Sequence, residues 1–201
     1  MDKIDLKKEL KNLYNPSAKE VTVIDVPAMN FLLINGEGAP TSPQYSEAVE
    51  ALFSVAYTLK FTIKKSKGID YAVMPLEGLW WVDDMTKFSA DRKEEWKWTA
   101  MIMQPEYVSA DEVKVAVEQV KKKKNPTALP KVRFESFKEG PAAQIMYVGP
   151  FSAEGPTITK IHAYIQNSGH MLSGKHHEIY LNSPATTAPE KLKTIIRQPM
   201  V

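Results

Sequence analysis

The stretch with the densest chemistry lies near the C-terminus: Gly174-Lys175-His176-His177-Glu178-Ile179-Tyr180-Leu181-Asn182. Its alternation is that of a short β-strand. His177, Ile179 and Leu181 share one face, and His176, Glu178 and Tyr180 share the other. If the aliphatic face meets the core, Glu178 and Tyr180 point together into whatever lies on the opposite side. A carboxylate set beside aromatic rings offers two kinds of chemistry. It can be the counter-charge to a cation whose flat body stacks on the rings. Desolvated, with its pKa raised above an ordinary value of about 4.3, it can be a general acid–base. The residues do not separate binding a ligand from acting on it, and a half-exposed glutamate on a plain sheet is the simple alternative.

Other residues fit the same chemistry. Trp80 and Trp81 close the segment Pro75-Leu76-Glu77-Gly78-Leu79-Trp80-Trp81, Trp98 lies in the following strand, Tyr71 precedes both, and Tyr147 sits in a later strand. Core packing is the competing account of the tryptophans. Glu178 is the candidate acid–base, and Tyr147 would converge with it and Tyr180 in one groove. Tyr180, Trp80, Trp81, Trp98, Tyr71 and His176 are the candidate ligand contacts. No metal or cofactor is expected: the neighbouring His176 and His177 point to opposite faces, and His162 and His170 read as helix-surface or helix-end residues. No nucleophile-elbow motif supports a Ser-His-Asp triad.

The whole chain narrows the classes further. Its 201 residues suit one domain or two small fused ones, and 43% hydrophobic with 25% charged residues is a globular composition. A net charge of +2 gives no electrostatic reason to expect nucleic acid, and Lys121 to Lys124 read as a solvated helix end. The absence of cysteine removes disulfides, zinc–thiolate sites and cysteine nucleophiles. No apolar run approaches the roughly 20 residues of a membrane span, and the charged N-terminus lacks a signal peptide's apolar core. A cytoplasmic protein, monomer or homodimer, is expected.

The positioning elements follow from pattern. Residues 1–19 read as a lysine-rich arm. Strands are expected at 21–26, closed by Pro27, and at 30–36. Ser42-Pro43 opens a helix with its apolar stripe at Tyr45, Ala48, Val49, Leu52, Phe53, Ala56 and Leu59, stopped by Gly68. A strand runs from Glu95 to Met103. A capping box, Ser109 with Glu112, starts a helix over 109–124. Strands at 132–137 and 143–149, a helix over about 155–166, the glutamate strand and a last strand at 192–196 complete the chain. The order strand–strand–helix–strand–strand thus occurs twice, in halves of about 20–108 and 131–201. This predicts an α+β fold: a pseudo-two-fold tandem of antiparallel sheets, with helices on one face and a ligand groove on the other.

Three segments carry a family resemblance: Tyr147-Val148-Gly149-Pro150-Phe151, His177-Glu178-Ile179-Tyr180-Leu181, and Pro189 to Ile196 with Pro199. Together they resemble the GyrI-like small-molecule-binding domain over roughly residues 20–201. That resemblance implies a pocket for hydrophobic aromatic or cationic small molecules, with Glu178 at the position of the family's pocket glutamate. Members include the effector-binding halves of multidrug-sensing transcription activators, gyrase-inhibitory proteins, and stand-alone hydrolases that open the cyclopropane of cyclopropanoid DNA alkylators. The tryptophan-rich segment is similar to that of the stand-alone branch, where a glutamate and a tyrosine are implicated; the resemblance thus implies Glu178 and Tyr147 as the catalytic pair. No helix-turn-helix region precedes the domain here, so direct nucleic-acid binding is not expected. Detoxifying hydrolysis and non-catalytic sequestration of ligands both remain open.

Overall fold

The computed structural model describes residues 2–201. In chain order the elements are β1 (Asp2–Ile4), α1 (Leu6–Glu9), α2 (Lys11–Tyr14), β2 (Thr22–Glu37), α3 (Pro43–Lys67), β3 (Ile69–Tyr71), β4 (Leu76–Trp81), β5 (Lys97–Gln104), α4 (Ala110–Lys123), β6 (Arg133–Val148), α5 (Gly155–Asn167), β7 (His176–Tyr180) and β8 (Lys193–Pro199). Helices and antiparallel sheet together make the expected α+β fold.

Local chemistry accounts for the helix ends. Ser42 Oγ accepts from the Tyr45 amide, Pro43 fills the first turn, and Gly68 ends α3 at φ 71°. Ser109 and Glu112 form the complete capping box of α4. The strands are longer than their sequence suggests. β2 and β6 each run 16 residues, straight through Pro27 and through Gly140-Pro141. Both prolines lie upstream of the antiparallel runs that follow them, Asn30–Glu37 on β5 and Ala142–Val148 on β8. Their missing N–H groups therefore interrupt neither ladder.

The chain forms two compact units: one of residues 2–6, 29–74 and 80–137, the other of residues 7–28, 75–79 and 138–201. It passes between them along β2, β4 and β6. In the first unit β5 pairs with β2 from Asn30↔Gln104 to Glu37↔Lys97, and α3 packs on β5, β3 and α4. Its core holds Trp80, Trp98, Phe31, Leu52, Leu59 and Ile63, each no more than 2% exposed. Gly36 faces Trp98 across the ladder, and a Cβ at Gly36 would sit inside the indole ring.

In the second unit β8 lies between β7 and β6. Its register puts Tyr180 and Tyr147 on either side of Thr194, and Glu178 and Ile145 on either side of Ile196. Directly opposed residues of an antiparallel ladder share a face. Ile145 and Ile196 pack with Ile161 and Ile165 of α5, so this face is the one α5 covers.

Candidate functional site

β7 lays out two faces, and each carries charge. The first bears His176, Glu178 and Tyr180, with Tyr147 and Thr194 in the adjoining row. Glu178 is clamped at both carboxylate oxygens. His176 donates Nε2–H to Oε1 at 2.8 Å, and Tyr180 donates its hydroxyl to Oε2 at 2.8 Å. A carboxyl hydrogen bond from Glu154, the residue preceding α5, also reaches Glu178. The Glu178 side chain is 11% exposed, against 4% for His176. Around it Tyr147, Tyr180, Phe151 and Glu154 are half-buried, and the Phe151 ring meets Tyr180 edge-on at 5.7 Å.

Tyr147 donates its hydroxyl to the Pro150 carbonyl at 2.9 Å. Gly149 makes that bond possible. Its φ is 149°, and a Cβ there would stand 2.5 Å from the Tyr147 oxygen. Desolvation, and then the nearby Glu154, hold the Tyr147 hydroxyl above its ordinary pKa of 10.0, so it keeps its proton.

The expected rise in the Glu178 pKa is not what this geometry produces. Burial does push it up and is the largest single influence. The bond to His176 and its charge, then the Tyr180 hydroxyl and Glu154, outweigh burial and leave it below 4.5. Glu178 is a firmly ionised carboxylate. It also lies on the α5-covered face of its sheet, where the sequence reading set it opposite the helices.

The other face of β7 holds a dry charge network. His177 sits across from Arg197, which sits across from Gln144. His177 bonds Glu139 through Nδ1 at 2.8 Å and Glu77 through Nε2 at 2.9 Å. Arg197 reaches Glu139 at 3.2 Å, Gln144 and the Leu13 carbonyl, and Tyr14 donates to Glu77 at 2.7 Å. Burial lowers the His177 pKa, yet Glu139 and then Glu77 raise it to about 9. The Glu139 carboxyl stays below 4.5 against its own burial, through His177 and Arg197. These side chains are buried, and through Tyr14 and the Leu13 carbonyl the network ties α2 to the strands.

With this geometry in hand, comparison with known proteins is informative. The GyrI-like small molecule binding domain matches residues 19–200. The chain belongs to the GyrI-like family. It is similar to an uncharacterized conserved protein from Listeria innocua, at 38% identity, TM-score 0.91, and coverage of 98% of this chain and 100% of that one. A hydrolase from Listeria innocua is also 38% identical, with TM-score 0.89 and full coverage of both chains. The EcmrR C-terminal domain shares the fold, at 9% identity and TM-score 0.58 over 90% of this chain and 97% of that one. No curated protein matches.

The candidate residues fall into separate groups. Glu178, His176, Tyr180 and Tyr147 all belong to the second unit, on one face of β6, β8 and β7. Trp80, Trp81, Trp98 and Tyr71 belong to the first. There Trp98 is 0% exposed and Trp80 and Tyr71 2%, with Tyr45 packing on both indoles at 5.0 and 5.2 Å. These three pack as buried side chains in the core of that unit. Trp81 alone of that group is half-buried.

Glu154 and Phe151 were missed. Phe151 ends the Tyr-Val-Gly-Pro-Phe segment without having been read as a site residue, and Glu154, three residues on, reads as a cap because it precedes a helix. Its side chain makes no capping bond here. Among the described residues no cluster of three or more His, Asp or Glu could hold a metal ion, and no helix is long and apolar enough to cross a membrane.

Proposed function

We propose that this chain binds flat hydrophobic or cationic small molecules at Glu178 and hydrolyses cyclopropanoid DNA-alkylating compounds there. The observation that carries this reading is the carboxylate itself: ionised at rest, held at both oxygens, and open at one edge among half-buried aromatic rings. Such a group is an energetic liability unless something uses it. The likeness to a hydrolase at 38% identity over both full chains supports catalysis.

In the proposed reaction, water attacks the cyclopropane methylene and passes a proton to Glu178. The strained C–C bond breaks, and its electron pair moves into the conjugated carbonyl, whose oxygen becomes a phenolate. Tyr147, which keeps its proton at neutral pH, turns its hydroxyl from the Pro150 carbonyl to hydrogen-bond that oxygen as charge develops. A proton then returns from the carboxyl to the phenolate, so the net change is addition of one water. Acting in the cytoplasm, such an enzyme would be a detoxifier.

Incubation of the protein with a cyclopropanoid alkylator, followed by mass spectrometry in ordinary and ¹⁸O-labelled water, tests this. The expected product is the ring-opened, hydrated compound with the label in the new hydroxyl, formed faster than in buffer. Ring opening at the buffer rate overturns the enzymatic claim.

The lowered pKa of Glu178 favours a second reading. A carboxylate that resists protonation is a weak base and a durable counter-charge. On that reading the chain sequesters lipophilic cations without changing them. Binding of tetraphenylphosphonium that Glu178→Gln abolishes, with no turnover of any alkylator, would select it.

A further inference from the structure

We propose that His176 is the positioning residue of this site: its buried ring, bonded to one oxygen of Glu178, keeps that carboxylate aimed. The proposal rests on the reading of Glu178 as the working group and assigns what makes it fit to work. Exposure sets the division of labour. The Glu178 side chain retains 11% of its surface and His176 only 4%, so an incoming molecule meets the carboxylate and His176 acts through it.

The bond geometry agrees. At 2.8 Å from Nε2 to Oε1 the contact is a short, charge-assisted hydrogen bond. Tyr180 occupies the second oxygen, also at 2.8 Å, so the carboxylate cannot rotate about its terminal bond without losing both partners. Of the groups facing Glu178, Tyr180 on β7 and Glu154 ahead of α5 are neutral or acidic; only His176 can bring positive charge. Tyr147 on β6 faces Glu154. His162 of α5 faces His176, and burial, then the charge on His176, disfavour its own protonation.

A merely structural histidine and a positioning one differ in what their loss does to Glu178. Glutamine at 176 can place an amide N–H near the former Nε2 but carries no charge. Burial, the largest influence on Glu178 and an upward one, then loses its main opponent. The test follows the Glu178 carboxyl by ¹³C NMR on glutamate-labelled protein, its signal identified by its absence in Glu178→Gln. Wild type is expected to titrate below the ordinary 4.5, and His176→Gln at a higher pH, the direction in which burial pushes once the bond to His176 is lost. Tyr180→Phe should move it less. His176→Asn serves as a second variant, with circular dichroism reporting the fold of each.

If the protein turns over an alkylator, the acid limb of kcat should shift in step with the NMR titration, with KM little changed. Wild-type titration of Glu178 in both folded His176 variants overturns the proposal. Absence of turnover in wild type would instead refute the hydrolase reading and leave the NMR measurement standing.

Discussion

The charge network behind β7 makes stability depend on pH in a direction opposite to that of most buried carboxylates. His177 is 1% exposed and rises from an ordinary 6.5 to about 9, driven by Glu139 and Glu77. A group whose folded pKa is raised binds more protons folded than unfolded, so its contribution is complete below pH 6.5 and disappears as pH climbs through 9. At 1.36 kcal/mol per pH unit, the displacement corresponds to about 3 kcal/mol, a large share of a typical 5–15 kcal/mol total. Urea denaturation at pH 6, 7.5, 9 and 10 measures it. Unfolding free energy should fall by about 3 kcal/mol across that range, with most of the loss between 7 and 9. His177→Gln should be less stable at pH 6 and nearly flat over the same interval. A wild-type curve that is level from pH 6.5 to 9.5 would refute the assignment of a charged, doubly bonded His177.

Three further outcomes follow from the same geometry. Glu178→Gln should reduce alkylator hydrolysis by about 10²–10⁴-fold, the range for a proton-transfer group, while a flat neutral ligand still binds by fluorescence titration; unchanged turnover and cation affinity would remove Glu178 from the site. Arg197→Met leaves Glu139 with one cationic partner in a dry setting and should cost about 3–5 kcal/mol by chemical denaturation, partly recovered when Glu139→Gln is added. Gly36→Ala forces a methyl into the Trp98 ring and should lower stability by about 1–3 kcal/mol, read from a thermal melt followed by tryptophan fluorescence.

Much of this architecture was legible because it is written locally. Ser42, Pro43 and Gly68 mark the ends of α3 within a few residues of where they act, as do Ser109 and Glu112 for α4. The alternation of His176 to Tyr180 correctly sorts Glu178 and Tyr180 from His177 and Ile179. What the sequence hides depends on partners far along the chain. Pro27 reads as a strand end, yet β2 continues through it and its run on β5 begins only at Asn30. Trp98 reads as a stacking surface until Gly36 and Tyr45 close around it. The network of Glu77, Glu139, His177 and Arg197 spans 120 residues of sequence, from 77 to 197, with no spacing to betray it. The pKa of Glu178 failed as an expectation for a related reason. Burial can be guessed from neighbours, but Glu154 enters from 24 positions away, and the imidazole of His176 had to be seen folded back onto the carboxylate.

The two faces of β7 also bear on how reliably this strand finds its place. β7 is five residues long, and its apolar content is slight. Hydrophobic burial alone would hold such a segment loosely and permit sliding by one residue. A slide of that kind exchanges the faces and carries Glu178 into the compartment of Glu77 and Glu139. Three carboxylates would then crowd one dry space with Arg197 and His176, while His177 would face α5 without Glu77 and Glu139. Misalignment is thus penalised electrostatically on both sides of the sheet at once. The adjacent pair His177-Glu178 works as a proofreading device: it lets a very short strand reject wrong registers during assembly, a task that greasier strands accomplish only through length.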